Sequence, residues 1–155
     1  MQPDLLESFS MSIQEVLANL CQCDVKVHPA KVINISETIE DITIVINVAG
    51  KINGQILYMM NTNSGSELVS NMIGMPVSNI EESDELSIST LSEISNIITG
   101  NALTRLSENG FYCEATAAPL IIFGKSKVLK VLSPIAQTFV SSTSIGDFNV
   151  GIITV

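Results

Sequence analysis

Residues 86–110 read LSISTLSEISNIITGNALTRLSENG, and the reading of this stretch settles the rest of the chain. At about 100° per residue, Ser89, Glu93, Asn96 and Gly100 fall within roughly a 60° fan of one helix. Leu91, Ile94, Ile98 and Ala102 fall on nearly the opposite side. A helix that buries the second set must present the first to the outside. Glu93 and Asn96, at i and i+3, are then neighbours on the surface. A mid-helix glycine such as Gly100 costs about 1 kcal/mol relative to alanine, so the bare turn beside them points to a need for clearance. The stripe reads as a docking surface with two aimed polar groups rather than as a pocket.

Working outward, apolar residues recur at helical spacing over 4–20, through Leu5, Phe9, Ile13, Val16, Leu17 and Leu20. Val25 to Ser36 reads as a strand interrupted at His28-Pro29, since proline cannot donate to a sheet ladder. Ile42, Ile44, Ile46 and Val48 alternate with Thr43, Val45 and Asn47, which predicts a strand with one strongly apolar face. Asn53-Gly54 turns the chain, and Gln55 to Met60 returns as its hairpin partner. Ser64 to Ile73 reads as a short helix ended by Gly74, with Pro76 beyond it. Ser78 and Glu81 have capping-box spacing, placing the start of the long helix between 79 and 84 and its end near Asn109-Gly110. Tyr112 to Phe123, Val128 to Ser141 and Asp147 to Val155 read as extended.

Helix, proline-broken strand and glycine-turned hairpin thus occur twice. His28-Pro29-Ala30 parallels Ala118-Pro119-Leu120, and Gly50–Tyr58 loosely parallels Gly146–Thr154. The expected fold is a single α/β (α+β) domain over 1–155 with pseudo-twofold organisation. Long helices pack on a largely antiparallel sheet, with an internal duplication of 4–74 and 79–155. The first helix lacks the stripe: Glu15 is followed three residues later by Ala18, and Glu7 by Ser10.

The chain has 155 residues, 46% of hydrophobic type and without tryptophan, enough for one aliphatic core. A net charge of −9 argues against nucleic acid, whose phosphates need Lys and Arg, and against anionic membranes. No Lys or Arg lies between Ile52 and Thr104, while Glu67, Glu81, Glu82, Asp84, Glu85 and Glu93 do. The long helix therefore sits in a negative field, which repels an anionic small substrate unless a partner supplies positive charge. Cys21, Cys23 and Cys113 are too few for a disulfide scaffold. With His28 they match zinc spacings poorly, so they read as small buried hydrophobes. The sole histidine, His28, reads as structural. The N-terminus lacks signal-peptide pattern and the apolar runs are short of a membrane span, so the chain is expected to be soluble and cytoplasmic.

The spacing Ser89-x3-Glu93-x2-Asn96-x22-Pro119 resembles the signature of the CheC/CheX/FliY chemotaxis phosphatases. That signature is Asp or Ser, three residues, Glu, two residues, Asn, then twenty-two residues to Pro. Gly50-Lys51-Ile52-Asn53-Gly54 is similar to the family's Gly-x3-Gly hairpin, and Asn71-Met72-Ile73-Gly74 to its second-helix ending. One Glu/Asn motif, on the long helix only, resembles CheX, whereas CheC typically carries two. The resemblance implies a phosphatase acting on the aspartyl phosphate of a CheY-type response regulator. It assigns docking on a regulator lysine to Glu93 and orientation of the attacking water to Asn96. Ser89, Gly100 and Pro119 are supporting positions. It implies no cofactor on this chain, Mg²⁺ carried by the regulator, and a homodimer joined through sheets. Asn149–Val155 or either hairpin could form the seam. A non-catalytic module that binds the regulator or a flagellar-switch component would use the same surface, as would docking in the enzyme.

Overall fold

The computed structural model describes residues 3–37, 39–124 and 131–155. Helix α1 spans Pro3–Cys21 and buries Leu5, Phe9, Ile13, Val16 and Leu17. Two short strands follow, β1 (Val25–Val27) and β2 (Lys31–Asn34), then a 3-10 turn at Ile35–Glu37. The hairpin is β3 (Ile42–Gly50) and β4 (Gly54–Met60). Helices α2 (Thr62–Ile73) and α3 (Glu85–Glu108) come next. The chain closes with β5 (Cys113–Ala115), β6 (Leu120–Phe123), β7 (Ile135–Thr143) and β8 (Gly146–Thr154).

The eight strands form one sheet, ordered β1-β7-β8-β4-β3-β5, with β2 also on β7 and β6 also on β3. Every pairing is antiparallel. The pseudo-twofold is visible in this order, because β8 and β4 meet at its centre and each half ends in a broken strand. On one side, residues 28–30 loop out opposite Phe139 and Val140, between the Val27↔Ser141 and Lys31↔Thr138 pairs. On the other, residues 116–119 loop out opposite Ile46 and Asn47, between Val48↔Ala115 and Val45↔Leu120. Pro29 and Pro119 occupy these two breaks, where no ladder N–H is needed. His28 is tied to β7 twice, by its amide to the Val140 carbonyl at 2.9 Å and by Nε2 to Ser142 Oγ at 2.8 Å.

The main core lies between the helices and one sheet face. Phe9, Ile13 and Leu17 of α1 and Leu91, Ile94 and Ile98 of α3 meet Ile44, Ile46, Ile56, Tyr58, Val150 and Ile152. A second, smaller core occupies the other face, with Val45, Leu57, Met59, Ala136 and Ile153 around Ile35. Ile122 and Val131 pack against it. Ile35 follows one end of the sheet and Ile122 belongs to the other. Both reach the same cluster because the sheet curls toward this face, as strand twist favours.

This curl corrects the one-faced reading of β3. Thr43 and Val45 are buried like Ile42, Ile44 and Ile46, because both faces are covered. Other expectations also shift. The long helix starts at Glu85 with Asp84 as N-cap, not between 79 and 84. Asn79 takes a left-handed backbone, φ 55°, and Ile80 turns into the core, so the Ser78/Glu81 spacing opens no helix. Asp84 instead accepts from the Ser87 amide at 3.2 Å and hydroxyl at 2.6 Å. The extended stretch 112–123 is two strands. Of the stretch 128–141, residues 128–130 lie outside the described residues, and among 131–141 strand begins at Ile135. Asn149–Val155 is no sheet edge, since β8 is paired on both sides by β7 and β4. The hairpin glycines have a local reason: a Cβ on Gly54 would sit 1.9 Å from the Ile153 carbonyl oxygen. Gly74 caps α2 at φ 73° as expected.

Candidate functional site on helix α3

Helix α3 is held against the body from two directions. On its inner side, Tyr58 Oη of β4 and Thr99 Oγ1 lie 2.7 Å apart in a fully buried hydrogen bond. Burial pushes the Tyr58 phenol well above its ordinary range, so it stays a neutral hydrogen-bonding group. On its flank, Ser12 of α1 donates to Asn101 Oδ1 at 2.8 Å, and Arg105 Nε donates to the same oxygen at 3.0 Å. Arg105 also pairs with Glu15 of α1. These contacts fix the roll of the helix about its axis on both sides of Gly100. Tyr58, Thr99 and Asn101 do not stand out in the sequence, because a buried hydroxyl pair has no periodic signature.

With that roll, Ser89, Glu93, Asn96 and Gly100 are all exposed, while Leu91, Ile94, Ser95, Ile98 and Thr99 are buried. Among the described residues, the Glu93 and Asn96 side chains have no hydrogen-bond or ion-pair partner. Their Cβ atoms, three residues apart on a helix, are about 5–6 Å from each other. An anchored helix thus carries a free carboxylate and a free carboxamide side by side. Neither is occupied with holding the fold together. A Cβ at Gly100 would meet nothing within 4 Å, so the space above this turn is open.

Asn96 and Gly100 also border a cleft of about 290 Å³ between α3 and β5, with Leu103, Tyr112 and Glu114 among its walls. Pro119 is not brought into that cleft. It is half-buried in the 116–119 break, whose start is fixed by the Thr116 amide on the Asn47 carbonyl at 3.0 Å. Its place is therefore in the strand break between β5 and β6. Tyr112 and Glu114 were not singled out in the sequence. The signal was their i, i+2 spacing around buried Cys113, which puts them on one exposed side of a strand edge.

The remaining titratable groups have structural settings. Burial, then the neighbouring Cys23 charge, pushes the Cys21 thiol up to about 12. Burial also raises Cys23 and Cys113. Among the described residues, no three His, Cys, Asp or Glu side chains come together to hold a metal ion. No helix among them is long and apolar enough to cross a membrane.

Comparison with known proteins converges on one family. The family model described as Chemotaxis phosphatase CheX matches residues 42–139, a span that contains α3 and Pro119. The CheY-P phosphatase CheX of Thermotoga maritima is 24% identical over 138 residues, covering 89% of this chain and 87% of that protein. The crystal structure of a chemotaxis protein CheX from Desulfovibrio desulfuricans superposes with a TM-score of 0.83 at 20% identity, over 97% of this chain and 99% of that one. CheX in the CheX-CheY-BeF3-Mg²⁺ complex of Borrelia burgdorferi gives 0.79 at 19% identity, over 99% of both chains. With a family match over residues 42–139, which include the stripe-bearing helix, the chain belongs to the chemotaxis phosphatase CheX family.

Proposed function

We propose that this chain hydrolyses the aspartyl phosphate of a CheY-type response regulator. Glu93 docks on a lysine of the regulator and Asn96 orients the attacking water. The observation that carries the proposal is the pair of uncommitted side chains on the outer face of an otherwise anchored helix. The name of the Thermotoga relative and the CheX-CheY complex support the substrate class.

The chemistry suits these two residue types. In-line displacement at phosphorus asks for a placed nucleophile and neutralised oxygens, not a covalent helper. The Asn96 Oδ1 can accept one water proton while Nδ2 donates elsewhere. A carboxamide is no strong base, so its contribution is orientation, realised when the water is held in line with the leaving carboxylate oxygen. Glu93 supplies the charge complement for a lysine ammonium. Mg²⁺ enters with the regulator in this reading, consistent with the metal in the Borrelia complex. Ser89 supports the exposed stripe, and Pro119 shapes the strand break near it.

We further propose a cytoplasmic homodimer, in which a second copy covers exposed Val32 and Ile135 at the sheet margin, and an internal duplication of residues 4–74 and 79–155. Sedimentation tests the dimer. For the activity, phosphorylated regulator with Mg²⁺ should lose phosphate faster when this protein is added. Binding without acceleration would instead make the chain a sequestering module.

A further inference from the structure

We propose that Leu86, two turns before Glu93 on α3, is the apolar anchor of the docked regulator. It meets an apolar patch of the regulator whose margin carries lysines or arginines. The proposal rests on the phosphatase reading for the identity of the partner, and extends that contact toward the start of the helix.

Position is the first argument. At about 100° per residue, Leu86 lies within roughly 20° of Glu93 and 40° of Gly100, on the outer side of α3. A rise of 1.5 Å per residue sets it about 10 Å from Glu93 and about 15 Å from Asn96 along the axis. A specific interface covers roughly 800 Å² on each partner. Two short polar side chains one turn apart cover only part of that, so the contact continues along the helix. Toward the C-terminus the outer face runs through Gly100, Thr104 and Ser107, which are exposed but small or polar. Toward the N-terminus it runs through Ser89 to Leu86.

The second argument is that the helix start does not call for leucine. Leu86 is 54% exposed and, among the described residues, is the one exposed large hydrophobic on α3. The other leucines and isoleucines of this helix are buried or half-buried. The apolar contact that fixes many helix starts joins the residue before the cap to the fourth helical residue, here Ser83 and Ile88. Leu86 is the second helical residue, in a first turn that favours carboxylates such as its neighbour Glu85. A lone exposed leucine is ordinary on a protein surface. This one shares the face that carries Glu93 and Asn96.

Charge decides the occupant. Exposed Glu81 and Glu85 lie close to Leu86 in sequence, and no Lys or Arg occurs between Ile52 and Thr104. An apolar patch rimmed by basic residues complements this surface. The same field repels a second copy of the chain that presents the same helix.

The test uses a CheY-type regulator activated with beryllofluoride and Mg²⁺. It measures Kd, the salt dependence of Kd and the thermal midpoint of each variant. Leu86→Ala should weaken binding by about threefold to tenfold and keep the midpoint within about 2 °C of wild type. Its salt dependence should match wild type, because no charge is removed. Leu86→Met keeps the apolar contact and should bind within about twofold of wild type. Leu86→Lys sets a like charge against the basic margin and should weaken binding by about tenfold or more. A Leu86→Ala variant that binds as wild type does, or a lysine variant that binds better than the alanine one, would overturn the anchor. Lost self-association in sedimentation with unchanged Kd would place a second copy on Leu86 and overturn it equally. Asn96→Ala separates this from the phosphatase reading: normal turnover by that variant sinks the catalytic assignment, while the Kd series still decides the anchor. A wild-type protein that binds no activated regulator overturns both.

Discussion

Replacing Tyr58 by phenylalanine tests whether the roll of α3 is held by the bond assigned to it. The phenol oxygen lies 2.7 Å from Thr99 Oγ1, and the tyrosine is fully buried. Loss of one buried neutral hydrogen bond costs about 0.5–1.5 kcal/mol net, and stranding the partner adds about 1–3 kcal/mol. Thr99 can recover part of this by turning its hydroxyl to the carbonyl one turn back. Tyr58→Phe should therefore cost about 1–2 kcal/mol. Thr99→Val leaves the Tyr58 hydroxyl buried with no such recourse, and should cost about 2–3 kcal/mol. The double variant, with both polar groups gone, should cost less than the sum by about 1 kcal/mol or more. Urea unfolding followed by circular dichroism measures all four proteins in one series. Additive losses, or a Tyr58→Phe variant as stable as wild type, would refute the bond and with it this account of how α3 is oriented.

Three further outcomes follow from the same structure. With its thiol pushed up to about 12, Cys21 is thiolate in only about one molecule in ten thousand at pH 8. Iodoacetamide should leave it unmodified in the folded protein and label it fully in urea; rapid native labelling seen by mass spectrometry would contradict its burial. The Asp84 carboxyl is held below the usual carboxylate range, chiefly by the Ser87 hydroxyl and then its amide. A lowered folded value means that its stabilisation is complete above the ordinary aspartate range and is lost as pH falls through the lowered one. The stability gap between wild type and Asp84→Ala should be constant above about pH 5 and close below about pH 4; a gap that widened in acid would be the wrong sign. Association with the regulator should slow as salt rises, because the negative face of α3 steers a cationic site. An on-rate indifferent to ionic strength would remove that role.

The outer stripe was legible because helical period alone decides which residues oppose Leu91, Ile94 and Ile98. All four stripe positions came out exposed. The two proline breaks were legible for a similarly local reason, the missing N–H. What was not legible depends on contacts between distant segments. The start of α3 went to Asp84 because burial of Ile80 and the left-handed turn at Asn79 outweighed a nearby capping pattern. The second core under β3 requires Ile35 and Ile122, from opposite ends of the sheet, to curl onto one face. Alternation within one strand cannot report that. The central position of β8 likewise follows from pairing order. The cleft beside Gly100 also exists only once β5 is laid beside α3.

The central claim is that Asn96 places the attacking water. The most direct measurement is the loss of labelled aspartyl phosphate from a CheY-type regulator with Mg²⁺, in the presence of wild type, Asn96→Ala or no added protein. The account predicts acceleration by wild type, and a rate about a hundredfold lower for Asn96→Ala, equivalent to roughly 3 kcal/mol of lost orientation, with binding largely kept. Turnover by Asn96→Ala at the wild-type rate would contradict it.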